Sequence, residues 1–246
     1  VAIWFVTDLG GDIFLWWLTW RELKRQGMAD ALHPTLSPHP LKGAWRFAIR
    51  VNLTASLTAA WGPIARLIVG GLLGPASAAL YMAAASLADS AQKPTDLLTR
   101  AFYPEVMRMD ASTKRPWKLM LRGAILAGIV GIAALLIGIL AGDPIIRLIF
   151  GEQFADAYPV LVVLMFAPFL IMISFPLPPM LYAVDRDDAP LTARIVGTII
   201  YFAIVAPLSW QFGVAGAAAA FVAGTAVMVA ILSVQVWREY HRVRTR

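Results

Sequence analysis

Residues 43–75 read GAWRFAIRVNLTASLTAAWGPIARLIVGGLLGP. The stretch is long enough to cross a bilayer and mostly apolar, yet it carries Arg50, Asn52, Ser56, Pro63 and Arg66. Such groups cost free energy in hydrocarbon unless they face protein or a water-filled cavity. At about 100° per residue, Asn52, Ser56, Pro63, Arg66 and Gly70 fall within a sector of roughly 80°. Leu53, Leu57, Ile64 and Ile68 occupy much of the other side. Gly62-Pro63 sits near the middle, where proline removes a backbone donor and kinks or breaks a helix. The pattern predicts a spanning helix over about 46–70, with one fatty and one polar face, beside a polar pathway in a membrane protein.

The rest of the chain agrees with that setting. Hydrophobic residues make up 59% of the 246 and charged residues 15%, with a mean hydropathy of +0.70. A soluble domain of this length carries about 25% charged residues. Further apolar windows fall at 2–20, 76–99, 118–141, 159–183, 192–212 and 215–236. The expected fold is therefore all-α, a polytopic transmembrane bundle of about seven spans. The absence of cysteine removes disulfides and thiolate chemistry. His33, His39 and His241 lie in polar segments without ligand spacing, so neither a metal site nor a cofactor is expected. The chain opens at Val1 inside an apolar run. It reads as the C-terminal part of a longer polytopic protein, although a processed chain would look the same.

The net charge of +6 invites a nucleic-acid reading, but its distribution answers to membrane orientation instead. Arg21, Lys24, Arg25, Lys42 and Arg46 fall on one side with Arg100, Arg108, Lys114, Arg115, Lys118 and Arg122. Arg186, Arg194 and the tail arginines join them, whereas the opposite loops hold Arg147. The positive-inside rule then predicts a cytoplasmic carboxyl end. In span four, Gly123, Ala127 and Gly131 repeat every four residues, a spacing that lets helices approach closely. The segment 100–118 is expected outside the hydrocarbon core, and 142–158 as a surface loop or short interfacial helix. Span five, with Pro159, Pro168, Pro176, Pro178 and Pro179, is expected to be irregular or broken.

Three segments, taken together, resemble polysaccharide flippases. LGPASAALYMAAASLADSAQKPTDLLTRAFYPEV resembles the family's glycine-rich turn entering a helix that ends in an aromatic-Pro pair. LIFGEQFADAYPVLVVL resembles its aliphatic-Phe-Gly segment, and APLSWQFGVAGAAAAFVAG its Pro, Gly, Gly-Ala-Ala pattern. In order and spacing they are similar to the C-terminal half of the multidrug/oligosaccharidyl-lipid/polysaccharide exporter superfamily. The resemblance implies a two-lobed transporter, not an enzyme, carrying undecaprenyl-diphosphate-linked oligosaccharide across a bacterial inner membrane. Residues 1–27 would be the last helix of a preceding N-terminal lobe, and 28–42 a cytoplasmic linker. Residues 43–237 would form the six-helix C-terminal lobe, followed by a basic tail, 238–246. Drug/cation antiporters and lipid II flippases share the implied fold. A membrane-embedded glycan polymerase or ligase is the alternative of another class, but the chain shows no nucleophile–base pair, metal cluster or phosphate-cradling loop.

A diphosphate cargo calls for arginine, whose planar fork matches phosphate oxygens. Arg66 is the expected substrate-binding cation, with Asn52 and Ser56 as sugar-contacting groups. The alternative is that Arg66 snorkels to the interface, within roughly 10 Å at 1.5 Å per residue. Arg50 is either a second cavity cation or an anchor. Asp89, the acid nearest mid-bilayer, either couples transport to a proton or Na⁺ with Lys93 as its switchable partner, or forms an i,i+4 ion pair with it. Asp96 and Arg100 repeat the spacing. Asp8 and Asp12 have no basic partner in their own helix.

Overall fold

A computed structural model describes the backbone of residues 2–25, 44–111 and 113–244, and the side chains of 9–22, 24, 25, 45–111 and 113–242. The expected linker at 28–42, Ser112, the Asp8 side chain and the end of the tail lie outside these residues. The chain divides into two units, Val1–Ala44 and Trp45–Arg246. In the first, helix α1 (Ala2–Arg25) closes on Lys24 and Arg25. It leaves Trp16, Trp17 and Trp20 exposed, and the Arg21 guanidinium lies 5.6 Å from the Trp17 ring centroid.

The second unit contains α2 (Ala44–Leu73), α3 (Pro75–Met107), α4 (Lys114–Phe150), a 3₁₀ turn at Glu152–Ala157, α5 (Tyr158–Leu164), α6 (Phe166–Ser174), α7 (Leu177–Ala183) and α8 (Asp188–Arg244). Among the described residues there is no strand, and the all-α membrane bundle expected from composition is what forms. Four stretches are long and apolar enough to cross a membrane: Trp45–Leu73, Lys114–Phe150, Glu152–Ala183 and Asp188–Arg242. The last is a hairpin. Gly213 sits at φ 60°, ψ −139°, outside helical space, and the chain turns back there. The two limbs then touch backbone to backbone, so that a Cβ on Gly197 would lie 2.7 Å from the Gly224 carbonyl oxygen. α3 is as long as its neighbours, but Asp89, Lys93, Asp96 and Arg100 keep its apolar content low.

In the second unit α2, α3, α4, the broken α5–α7 pass and the two limbs of α8 alternate in direction. Gly74 and Gly151, both at positive φ, turn the chain at the same end as Gly213. The other end holds the bend at 108–113 and the loop at 184–187. The glycines of α4 form a seam for the broken fifth pass. A Cβ on Gly123, Gly131, Gly138 or Gly142 would meet Phe175, Phe169, Met165 or Leu161 within 3.4 Å. The proline-rich span breaks into α5, α6 and α7 as its composition requires, with Met165 and the Phe175-Pro176 pair at the joints. The outer face of α4 stays apolar and open, with Leu140 and Leu148 more than three-quarters exposed, as a lipid-facing surface should be.

Helix runs through three segments that the sequence marked with prolines or charge. α4 continues through Pro144 to Phe150 and a 3₁₀ turn follows at Glu152–Ala157, so of the two expected forms, surface loop or short helix, the segment is helical, its first part continuous with α4. There Asp143 and Arg147 pair one turn apart at 2.9 Å. α3 likewise runs through Pro104 to Met107 and buries Phe102 and Val106. α2 is helical without interruption across Pro63, because proline costs one hydrogen bond that a long packed helix absorbs.

Candidate functional site

α2, α3, α6, α7 and both limbs of α8 enclose a cavity of about 470 Å³. On α2 its wall is Thr54, Thr58, Gly62 and Arg66, one residue per helical turn. α3 contributes Asp89, Gln92, Thr95, Asp96 and Thr99 at the same i, i+3, i+4 spacing. The apolar backing is Trp61 with Phe221 at 5.4 Å and Tyr201 at 6.3 Å between ring centroids. Proline-shaped α7 closes one side with Pro178, Pro179 and Tyr182.

Two arginines enter this space. Arg66 Nη2 donates to Asp89 Oδ2 at 2.7 Å, joining α2 to α3. Its Nε is buried with no hydrogen-bond partner. Arg194, on the first limb of α8, lays its guanidinium 4.7 Å from the Trp61 ring centroid, a cation–π arrangement. Its Nε is also buried and unpartnered, as is the Thr95 hydroxyl. Buried donors without acceptors are uncommon and costly, and the Trp61 Nε1 in the same wall is a fourth such group. The hydroxyls of Thr54, Thr58 and Thr99 each donate to the carbonyl four residues back, which leaves their oxygen lone pairs free to accept.

The structure brings some of the residues singled out in the sequence to this cavity and leaves others outside it. Arg66 and Asp89 do line the cavity, but they pair with each other. Asp89 makes no ion pair with Lys93, nor Asp96 with Arg100, among the described residues. Lys93 is exposed and lies outside the cavity wall. Asn52 is exposed and donates to the Ala48 carbonyl of its own helix at 2.8 Å. Ser56 is exposed too, and neither residue lines the cavity. Arg50 leaves the cavity altogether and binds Asp187 at 2.9 Å. Arg194 was read from sequence as a boundary charge; only the packing of α8 on α2 brings it to Trp61.

Below the cavity, at the end of the bundle carrying the 184–187 loop, Arg186 ties three elements together. It donates to Asp188 at 3.1 Å, to Gln235 at 3.2 Å and to Glu239. The hydrogen bond from Arg186 holds the Asp188 carboxyl below the usual range. The same contact raises the Arg186 guanidinium. With Arg50–Asp187, this network fastens the start of α2 and the end of α8 to one loop. Among the described residues no cluster of His, Cys, Asp and Glu is suited to a metal ion.

No family model matches the chain, and no solved structure matches it. The chain is 39% identical over 154 residues to "Inner membrane protein YghQ" of Escherichia coli (strain K12). That match takes in 62% of this chain and 43% of the relative, so it spans less than half the relative's length. With the long apolar helices, this similarity supports a multi-pass location in an inner membrane.

Proposed function

We propose that this chain is the C-terminal lobe of an inner-membrane transporter that carries undecaprenyl-diphosphate-linked oligosaccharide between leaflets. Residues 43–237 form the lobe, and the carboxyl end is cytoplasmic. The observation that carries the reading is the cavity itself, whose wall carries Arg66 and Arg194 together with Thr54, Thr58, Thr95 and Thr99, with Arg194 lying 4.7 Å from the Trp61 ring centroid. A diphosphate is anionic, and a guanidinium fork matches its oxygens. Free hydroxyl lone pairs and aromatic faces suit the attached sugars. The Asp89 side chain is 58% exposed, on the open side that an N-terminal lobe would cover. Asp89 serves as the internal counter-ion that holds Arg66 while the cavity is empty. Protonation or Na⁺ binding at Asp89 would release Arg66 to cargo, so the coupling role passes from Lys93 to the Arg66–Asp89 pair.

The cavity also presents Asp89 and Asp96, which favours the second reading, a cation antiporter of the same fold. One assay separates them. Proteoliposomes holding the full-length protein are offered a fluorescent polyprenyl-diphosphate oligosaccharide and, separately, a lipophilic cationic dye. Translocation of the lipid-linked sugar with no dye movement supports the flippase; dye movement alone overturns it.

A further inference from the structure

A second concavity lies across the α7–α8 wall from the polar cavity. The wall separates neighbours in sequence: Pro178 and Leu232 face the cavity, whereas Leu177 and Ser233 face the other way. Behind it, the start of α4 and the end of α8 form a groove of about 450 Å³. Its floor is apolar, with Leu121, Leu177 and Val236, and Trp117 and Trp237 stand on its sides. Lys114 and Lys118 rim it one helical turn apart. Both lysines are exposed, and neither forms an ion pair among the described residues. The acid nearest in sequence on α8, Glu239, is buried and engaged by Arg186 and Arg242.

These parts fit one kind of occupant. Tryptophan and tyrosine gather where a membrane helix passes the headgroup level. Here Trp117 and Tyr240 pack edge to face at 5.1 Å, and Trp237 beside them is 63% exposed. An apolar trough starting at that level accepts an acyl chain. Two unpaired ammonium groups at its mouth accept a net negative phosphodiester, and basic pockets between transmembrane helices hold anionic headgroups in this way. We propose that the groove is a binding site for one anionic phospholipid. Its phosphate rests on Lys114 and Lys118, and one acyl chain lies along Leu121 and Leu177. The site is separate from the transport cavity and independent of what that cavity carries.

The test is native mass spectrometry of the purified full chain, titrated with phosphatidylglycerol or phosphatidylcholine of matched chains. The first equivalent of phosphatidylglycerol should bind about tenfold more tightly than phosphatidylcholine. The pair Lys114→Gln and Lys118→Gln should remove that preference, and Lys114→Arg with Lys118→Arg should keep it. Leu121→Trp fills the trough without altering charge and should weaken both lipids. Arg100→Gln with Arg108→Gln removes two exposed charges elsewhere and should change nothing. Equal affinity for the two lipids overturns the proposal. So does an equal loss in the Arg100/Arg108 control, or binding of both lipids unweakened by Leu121→Trp, since each would mean diffuse surface attraction or a groove closed by protein.

Discussion

Arg66 on α2 and Asp89 on α3 share a hydrogen-bonded ion pair of 2.7 Å at the wall of the polar cavity. The partners are 34% and 58% exposed. A pair so open to solvent contributes at most about 1 kcal/mol to stability. Its position, rather than its contribution to folding, therefore gives it weight. It holds a cation at the cavity wall beside its counter-charge.

The first expected outcome follows from that small stability term. Arg66→Ala should leave membrane abundance close to normal but lower glycan export per inserted molecule by more than tenfold. A charge-assisted hydrogen bond is about 1.5–3 kcal/mol and about 1.4 kcal/mol is a factor of ten. Arg66→Lys keeps the charge without the planar fork and should retain part of the activity. Normal export by Arg66→Ala, normalised to inserted protein, would make this arginine an interface anchor.

The Arg66–Asp89 pairing also changes which double variant is informative. Asp89→Asn leaves Arg66, not Lys93, without its counter-charge. Lys93→Met should therefore fail to rescue Asp89→Asn in the export assay. The exchange Arg66→Asp with Asp89→Arg should restore more activity than either single reversal. Rescue by Lys93→Met would return Asp89 to the intrahelical pair suggested by spacing.

Why spacing suggested that pair is instructive. Asp89 and Lys93 stand one turn apart, and on an isolated helix such residues meet. α3 is not isolated: α2 brings a stronger and more rigid donor to the same carboxylate. The helical wheel of α2 grouped Arg66 with Asn52 and Ser56, whereas in the structure Arg66 shares the cavity wall with Thr54 and Thr58. Asn52 lies about 40° from Arg66 in one direction and Thr58 about 80° in the other. Composition alone does not tell which polar flank turns inward. Packing of Trp61 against Tyr201 and Phe221 decides it. Breakage of the fifth pass was legible because prolines act locally. The length of α4 was not, since a single Pro144 looks like a terminator until the surrounding helices bury Ile146 beyond it.

Close packing gives a stability prediction. Gly197→Ala would place a methyl group 2.7 Å from the Gly224 carbonyl oxygen. Overpacking of this kind costs about 1–3 kcal/mol, and the obstacle is backbone, which cannot swing aside. Thermal unfolding in detergent should fall clearly for Gly197→Ala. Gly71→Ala, with nothing within 4 Å of the new methyl, should unfold near the parent temperature. Equal behaviour of the two variants would mean that the α8 limbs do not meet at Gly197.

The Arg186 network gives a pH prediction. Arg186 hydrogen-bonds Asp188 and lowers its carboxyl below the ordinary value. A depressed folded value means that the unfolded chain takes up the proton first as pH falls. The stabilisation is thus complete above the unfolded value, about 3.9, and is lost as pH drops through the folded one. Asp188 is 44% exposed, so the effect is below about 1 kcal/mol. Asp188→Asn should melt slightly below the parent at pH 7, and the gap should close toward pH 3. A gap that does not change with pH would detach Asp188 from the network's stability.

Orientation is tested with single cysteines, since the parent chain has none. Ala76 and Val214 flank the glycine turns; Met109 lies in the bend at the arginine-rich end. With the carboxyl end cytoplasmic, Ala76→Cys and Val214→Cys should react with an impermeant maleimide in intact cells. Met109→Cys should react only after permeabilisation. Labelling of Met109→Cys in intact cells reverses the orientation.

Arg194 supplies the last prediction, and it separates cargo binding from packing. Its guanidinium lies 4.7 Å from the Trp61 centroid, yet its Nε is buried with no partner. The ring face stabilises the charge by about 0.5–2 kcal/mol but satisfies no N–H donor. A group held this way is attracted to any anion that reaches it. Arg194→Met keeps most of the side-chain volume and removes both the charge and the unsatisfied donor. Stability should therefore change little, or rise, because an unpaired buried donor costs about 1–3 kcal/mol. Binding of a polyprenyl diphosphate should weaken by about tenfold or more, one lost charge-assisted hydrogen bond. Trp61→Leu tests the support rather than the charge: it removes the ring face, leaves the guanidinium, and should lower both melting temperature and affinity. Calorimetry of diphosphate binding and thermal unfolding, run on both variants, read the two quantities separately. An Arg194→Met protein that melts lower but binds the diphosphate as tightly as the parent would assign Arg194 to packing alone and leave Arg66 as the cargo-facing cation.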